Sequence, residues 1–177
     1  MESEPRPAFD TIHPPNQTLE VDLTPKELSE LSFNLRRPFS PREAEALDNI
    51  SRGFSNTQTA MNMGVSYGTV KNYNGIILFK TQAATMPQAV DRGFEVEALM
   101  PDVIEEGVEQ PELTDVEHAE IILIAGGLTI IRSAHQQGLN MGTINKRRAR
   151  IREKFDATNT SQVIRKAWEF GIPTRTT

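Results

Sequence analysis

A short basic stretch near the C-terminus has the residue types and spacing that bind phosphate. Residues 142–166 hold eight Lys or Arg residues against two acidic ones, although the whole chain has a net charge of −5. Lys146, Arg150 and Lys154 recur every four residues, which places them on one face of a helix. A helix of this kind can place its N-terminal side chains against base edges and its later cations against phosphates. The alternative is a charged face that is merely solvated.

The residues that could support catalysis or hold a metal are scattered. His13, His118 and His135 stand alone, without the spacing of metal ligands. The pair Gly126-Gly127 is predicted to end a helix, whereas a phosphate-binding loop opens a helix after a strand. No nucleophile motif is present. The sequence therefore predicts no catalytic residue, no metal site, no cofactor and no enzymatic activity.

Composition restricts the class of protein further. The chain has no cysteine, which excludes a disulfide framework and suits a reducing compartment. Its longest apolar run, residues 121–125, is far shorter than the roughly 18 residues of a membrane span. The N-terminus lacks the basic and apolar regions of a secretory signal. We expect a cytoplasmic protein that does not enter a membrane.

An internal repeat organises the chain. An offset of 74 residues, without gaps, places Gly64 on Gly138 and residues 68–70 on residues 142–144. Each copy contains the signals of four helices, starting with the capping boxes at Ser40 and Thr114. The prediction is an all-α protein with two tandem four-helix domains, an N-terminal extension and an extra helix. The predicted segments are an N-terminal arm plus helix at 1–38, a first domain at 39–99, an acidic linker at 100–112 and a second domain at 113–173.

The second and third helices of each copy have the pattern of a helix-turn-helix. A small residue, Ala60 or Ala134, precedes a glycine by four positions, and a capping residue follows two positions after that glycine. Gly64 and Gly138 permit the positive φ of a sharp turn. A generic helical bundle remains the alternative explanation of this pattern.

Four stretches of the first copy, residues 40–43, 52–56, 63–66 and 68–73, have the residue pattern of a known family. Through them the first copy resembles the LuxR/GerE-type DNA-binding domain of bacterial transcription factors, and the second copy is similar but more diverged. The resemblance implies that the third helix of each copy enters the major groove of DNA. The DNA contacts that it implies are Thr69, Lys71, Asn72 and Tyr73 in the first copy and Thr143, Asn145, Lys146 and Arg147 in the second. The basic face adds Arg148, Arg150 and Lys154 to the predicted contacts.

The third helices of the two copies differ in how well their side chains suit DNA binding. The third helix of the second copy combines a basic face with an apolar stripe, so we expect it to supply most of the affinity. The third helix of the first copy has only Lys71 and Lys80, and it contains the apolar run 76–79. That copy either reads DNA itself or serves as an interaction module.

Two connecting segments leave alternatives open. A capping box at Thr24 predicts a helix over about residues 25–36, whose leucines either pack on the first copy or form a homodimer contact. The linker, residues 100–112, could extend to roughly 40 Å and let the copies occupy adjacent major-groove sites. It could instead hold the two copies together as one compact unit.

Together these features predict a DNA-binding transcriptional regulator that acts on double-stranded DNA in the cytoplasm, associated with the bacterial nucleoid. The alternative is a protein–protein adaptor of helix-turn-helix shape, with RNA polymerase or another regulator as its partner. A sigma-factor-like promoter-recognition piece is a third reading, because that family shares the geometry.

Overall fold

A computed structural model describes residues 39–175. This part of the chain contains eight helices and no strand, which confirms the predicted all-α class. The predicted N-terminal arm and helix at 1–38 lie outside the described residues. The helices are α1 (Pro41–Ser51), α2 (Asn56–Met63), α3 (Tyr67–Thr81), α4 (Met86–Glu95), α5 (Asp115–Ala125), α6 (Ile130–Gln137), α7 (Met141–Lys154) and α8 (Thr160–Glu169).

The helix bounds repeat along the chain. Moving α1, α2 and α4 by 74 positions gives the bounds of α5, α6 and α8, and α7 ends one residue earlier than α3 would predict. We call α1–α4 the first unit and α5–α8 the second unit.

Local capping explains why the units begin alike. The hydroxyl of Ser40 accepts from the backbone N–H of Glu43, and the Glu43 carboxylate accepts from the Ser40 N–H. Thr114 and Glu117 form the same reciprocal capping box at the start of α5. Each box satisfies donors that a helix N-terminus leaves without an intrahelical partner.

The units pack against each other through their fourth helices, α4 and α8. Phe94 and Trp168 occupy the same position in the two helices, and their rings stack on each other. The side-chain amide of Gln88 donates to the carbonyl of Gly126 in the second unit. Gln88 also lies against Gly127, and the counterparts of these two residues, Gln162 and Gly53, lie against each other in the same way.

This reciprocity defines a pseudo-two-fold axis. When residue i of one unit contacts residue j of the other and the converse also holds, the interface is isologous, as in a two-fold dimer. A residue that contacts its own counterpart, as Phe94 contacts Trp168, lies at the axis itself. The single chain therefore folds as a dimer-like pair of units.

One apolar core runs through both units. It includes Leu47 and Ile77 of the first unit together with Ile121 and Ile151 of the second. Burial of this shared surface is the main force that holds the units together, because apolar area removed from water stabilises the folded chain.

The linker, residues 100–112, makes polar contacts with both units. Asp102 accepts from Arg52 at 2.8 Å in the first unit and lies 3.1 Å from the guanidinium of Arg165 in the second. The carbonyl of Glu112 accepts from Lys154 at 2.8 Å. Of the two arrangements considered for the linker, the structure has the compact one.

Candidate nucleic-acid interface

A left-handed glycine sets the angle between α2 and α3. Gly64 has φ 63° and ψ 37°, a conformation that costs glycine little because it lacks a Cβ. The N–H of Val65 donates to the carbonyl of Ala60, and the Ser66 hydroxyl then caps α3. Val70 is fully buried and anchors α3 to the core. This geometry is that of a helix-turn-helix.

The second unit has the same turn between α6 and α7. Gly138 has φ 64° and ψ 30°, and the N–H of Leu139 donates to the carbonyl of Ala134. The Asn140 side chain accepts from the backbone N–H of Thr143 at 2.8 Å and caps α7. Ile144 is fully buried, as Val70 is in the first unit.

The outer face of α3 is weakly polar. Four of the implied DNA contacts lie on this helix, and two of them, Lys71 and Asn72, are exposed. Thr69 shares a hydrogen bond with the Ser66 hydroxyl, and Tyr73 is half-buried against the core. Further along the same face, Ile76 and Phe79 are exposed large apolar residues.

The outer face of α7 is polar and basic. Asn145, Lys146 and Arg150 are exposed, with the small residue Ala149 between them. Thr143 is half-buried and its hydroxyl donates to the Asn140 side chain. Among the predicted contacts, Asn145, Lys146 and Arg150 are thus brought together on one accessible face.

Arg148 lies inside the second unit and not on this face. Only 7% of the residue is exposed, and its guanidinium donates to the Glu120 carboxylate at 2.8 Å and to the Leu128 carbonyl at 2.9 Å. The sequence-based expectation made Arg148 a DNA contact. Its position between Ile144 and Ile151 on the stripe of α7 that faces the core explains the difference.

Arg147 belongs to the same internal cluster. Its guanidinium donates to the side-chain oxygen of Gln137 and lies 3.5 Å from Glu120. Glu120 is fully buried and also accepts from the Ser133 hydroxyl at 2.9 Å. We call Glu120, Ser133, Gln137, Arg147 and Arg148 the buried polar cluster. The cluster joins α5, α6 and α7, and so it fixes the position of α7 relative to the other two helices.

Lys154 also forms an ion pair within the second unit. Its ammonium donates to the Glu117 carboxylate at 2.8 Å, and the equivalent Lys80 donates to Glu43 at 2.6 Å. These lysines tie the C-terminal ends of α7 and α3 to the N-terminal ends of α5 and α1. Lys154 was predicted as a DNA contact, but its charge is already matched by a carboxylate.

The two carboxylates that receive these lysines have altered acidity. Burial raises the pKa of Glu43, but the hydrogen bonds from Lys80 and from the Ser40 backbone outweigh it, so the pKa lies below its ordinary value. For Glu117 the same opposing effects, with Lys154 and Thr114 as the donors, again leave the pKa lowered. Both carboxylates therefore ionise at a lower pH in the folded chain than an ordinary glutamate does.

The first unit matches a known family. Residues 37–92 match the family described as "Bacterial regulatory proteins, luxR family" (GerE). The chain contains one LuxR-type helix-turn-helix domain. Such domains belong to DNA-binding transcription regulators, so a general role of this kind is supported for the chain. Searches of curated proteins and of solved structures each gave no match.

Sequence reasoning missed the residues of the second unit that position α7. Glu120 and Ser133 were not singled out, although they orient the arginines of α7. A usable signal was present in the sequence, because Arg148 occupies a position that an apolar residue would fill in the stripe of Ile144 and Ile151. A charge at such a position requires a buried partner.

No helix between residues 39 and 175 has both the length and the apolar composition needed to cross a membrane. In the same range, no three His, Cys, Asp or Glu side chains are grouped so that they could hold a metal ion.

Proposed function

We propose that the chain is a transcription regulator that binds double-stranded DNA with both units, and that α7 of the second unit supplies most of the affinity. We also propose that the second unit is a second helix-turn-helix domain of the LuxR type. The observation that carries the proposal is the accessible face of α7, where Asn145, Lys146 and Arg150 lie together beyond the turn at Gly138.

The side chains of this face suit a DNA groove. Lysine and arginine bind phosphates or pair with guanine, and asparagine pairs with adenine. Ala149 at the centre of the face leaves room for the helix to approach closely. The contacts that we retain from the sequence are Thr143, Asn145, Lys146 and Arg150, with Lys71 and Asn72 in the first unit.

The charge distribution supports an unequal contribution of the units. Residues 113–175 hold ten Lys or Arg against six acidic residues, whereas residues 39–99 hold five against six. Attraction to phosphate depends on the local balance of charge more than on the total of −5. The second unit therefore supplies the long-range attraction to DNA.

Binding of a labelled random duplex, followed by fluorescence anisotropy over a range of salt, tests the proposal. Each phosphate contact contributes about −0.9 to the slope of log affinity against log salt. The double variant Lys146→Ala/Arg150→Ala should bind more weakly and show a shallower slope. Lys71→Ala/Asn72→Ala should weaken binding less.

Arg52→Ala is the control, because it removes a positive charge that caps the C-terminal end of α1, outside α3 and α7, and contacts Asp48 and Asp102. It should leave the salt slope unchanged. Binding of the unaltered chain that does not depend on salt would refute the proposal.

A second function is favoured for α3 by one observation. Ile76 and Phe79 are 39% and 41% exposed on its outer face, where the second unit has Arg150 and Glu153. Such a face suits a protein partner, either RNA polymerase or another regulator, as in an adaptor. If Lys71→Ala/Asn72→Ala leaves DNA affinity unchanged while the α7 variant reduces it, the adaptor role of the first unit is supported.

A further inference from the structure

We infer that one copy of this chain reads an asymmetric DNA site, made of two unlike half-sites in inverted orientation. The inference rests on the proposed function and specifies its ligand. Three features of the structure lead to it: the pseudo-two-fold axis, the differences between equivalent side chains of α3 and α7, and the internal use of the pairing surface.

The axis determines the orientation of the half-sites. The two strands of duplex DNA are related by local two-fold axes, so a two-fold protein pair matches an inverted repeat. The axis here passes between Phe94 and Trp168. The contact of Gln88 with Gly127 and the contact of Gln162 with Gly53 obey it as well. Because α3 and α7 are equivalent elements, the same axis relates them, and they read opposite strands.

The side chains determine that the half-sites differ. Lys71 of α3 corresponds to Asn145 of α7, and Asn72 corresponds to Lys146, so the cation and the amide exchange places. One turn later, the exposed Ile76 corresponds to Arg150. An apolar side chain fits a thymine methyl group, whereas arginine pairs with guanine or binds phosphate. Two such different faces cannot favour the same bases.

The packing determines that one chain is sufficient. The surface at the axis is filled from within the chain, since Phe94 is only 5% exposed and Val90 and Ile164 are fully buried. A second copy cannot use this surface without opening the shared core. The pairing that separate subunits would otherwise provide is already present in one chain.

Selection of sequences from a random duplex pool with the full chain tests the inference. We expect two short, unlike motifs on opposite strands, with their centres about 10–10.5 base pairs apart. Sedimentation of the complex should give one chain per duplex. Inverting one half-site within the selected duplex should lower the affinity by about tenfold or more.

A swap variant tests the assignment of each half-site to its helix. Asn145→Lys/Lys146→Asn/Arg150→Ile gives α7 the side chains of α3 at three exposed positions. Its selected site should shift towards a palindrome, because one motif becomes a copy of the other. Arg52→Ala should select the same asymmetric site as the unaltered chain.

The outcomes separate the two proposals. Absence of DNA binding by the unaltered chain overturns the proposed function. DNA binding with motifs in direct repeat, or with two chains per duplex, overturns the inference and leaves the proposed function intact. A single motif overturns the inference, and with it DNA contact by the first unit, but leaves DNA binding by α7 intact.

Discussion

The rings of Phe94 and Trp168 stack with their centroids 5.3 Å apart and their planes 17° from parallel. The indole N–H of Trp168 donates to Asp91, one turn before Phe94 on α4, at 2.8 Å. The stack therefore fastens the two units at the axis that relates them. Stability of the whole described fold should depend on it.

Phe94→Ala should lower the free energy of unfolding by about 3–5 kcal/mol, because it removes a buried ring and leaves a cavity. Urea unfolding followed by circular dichroism measures this loss. The fluorescence of Trp168, the only tryptophan of the chain, should change in the same transition, since both units share one core.

Phe79→Ala provides the control, because it removes the same side chain from an exposed position of α3. It should change the free energy of unfolding by no more than about 0.5 kcal/mol. Similar losses in the two variants would show that the aromatic stack does not hold the units together.

Glu120→Ala should destabilise the chain by about 3–5 kcal/mol, because it leaves the buried charge of Arg148 without its partner. At the equivalent positions the first unit has Ala46 and Asn74. The double variant Glu120→Ala/Arg148→Asn places those two side chains in the second unit and removes the buried charge. It should recover much of the loss, as measured by urea unfolding in a double-mutant cycle.

A double variant no more stable than Glu120→Ala would contradict this account of the buried polar cluster. It would mean that the loss comes from the cavity at position 120 and not from an unpaired arginine. The difference matters for function, because only the loss of a partner for Arg148 would link the cluster to the placement of α7.

Stability should fall in acid because of Glu43 and Glu117. Each has a folded-state pKa below the ordinary value of 4.5. Their contribution is therefore complete above about pH 4.5 and is lost as the pH falls through the lowered pKa. Urea unfolding between pH 6 and pH 3 should show this decline.

The variant Glu43→Gln/Glu117→Gln should be less stable near neutral pH and should decline less in acid. Glu45→Gln changes an exposed carboxylate that contacts Arg42 and retains both capping carboxylates. It should keep the acid dependence of the unaltered chain. An unchanged profile in the double variant would rule out these two groups as its source.

Gly75→Ala should raise the free energy of unfolding by about 0.8–1.0 kcal/mol, since alanine is the better helix former. A Cβ at this position meets no atom within 4 Å. For a chain of this size, the melting temperature should rise by about 2–4 °C. Calorimetry would measure the shift.

Gly127→Ala should have the opposite effect. Its φ of 83° is unfavourable for alanine, and the added Cβ would collide with the side chain of Gln88. A gain in melting temperature for this variant would show that the close approach of the units at Gly127 is not needed.

The local features of the fold follow from short stretches of sequence. The capping boxes at Ser40 and Thr114 depend on contacts three residues apart, and the turns at Gly64 and Gly138 depend on a backbone conformation that favours glycine. For the same reason the sequence indicates the position of α7, and with it the exposed Asn145 and its neighbours. All of these interactions are complete within a few residues.

Tertiary structure decided which partners the cations of α7 have. The spacing of Ile144 and Ile151 places Arg148 on the core-facing stripe, but its carboxylate partner Glu120 lies 28 residues away along the chain, whereas Arg150 is exposed. The pairing of the units at Phe94 and Trp168 is another long-range outcome. Such contacts depend on how whole helices fit together, and residue spacing within one helix carries no information about that fit.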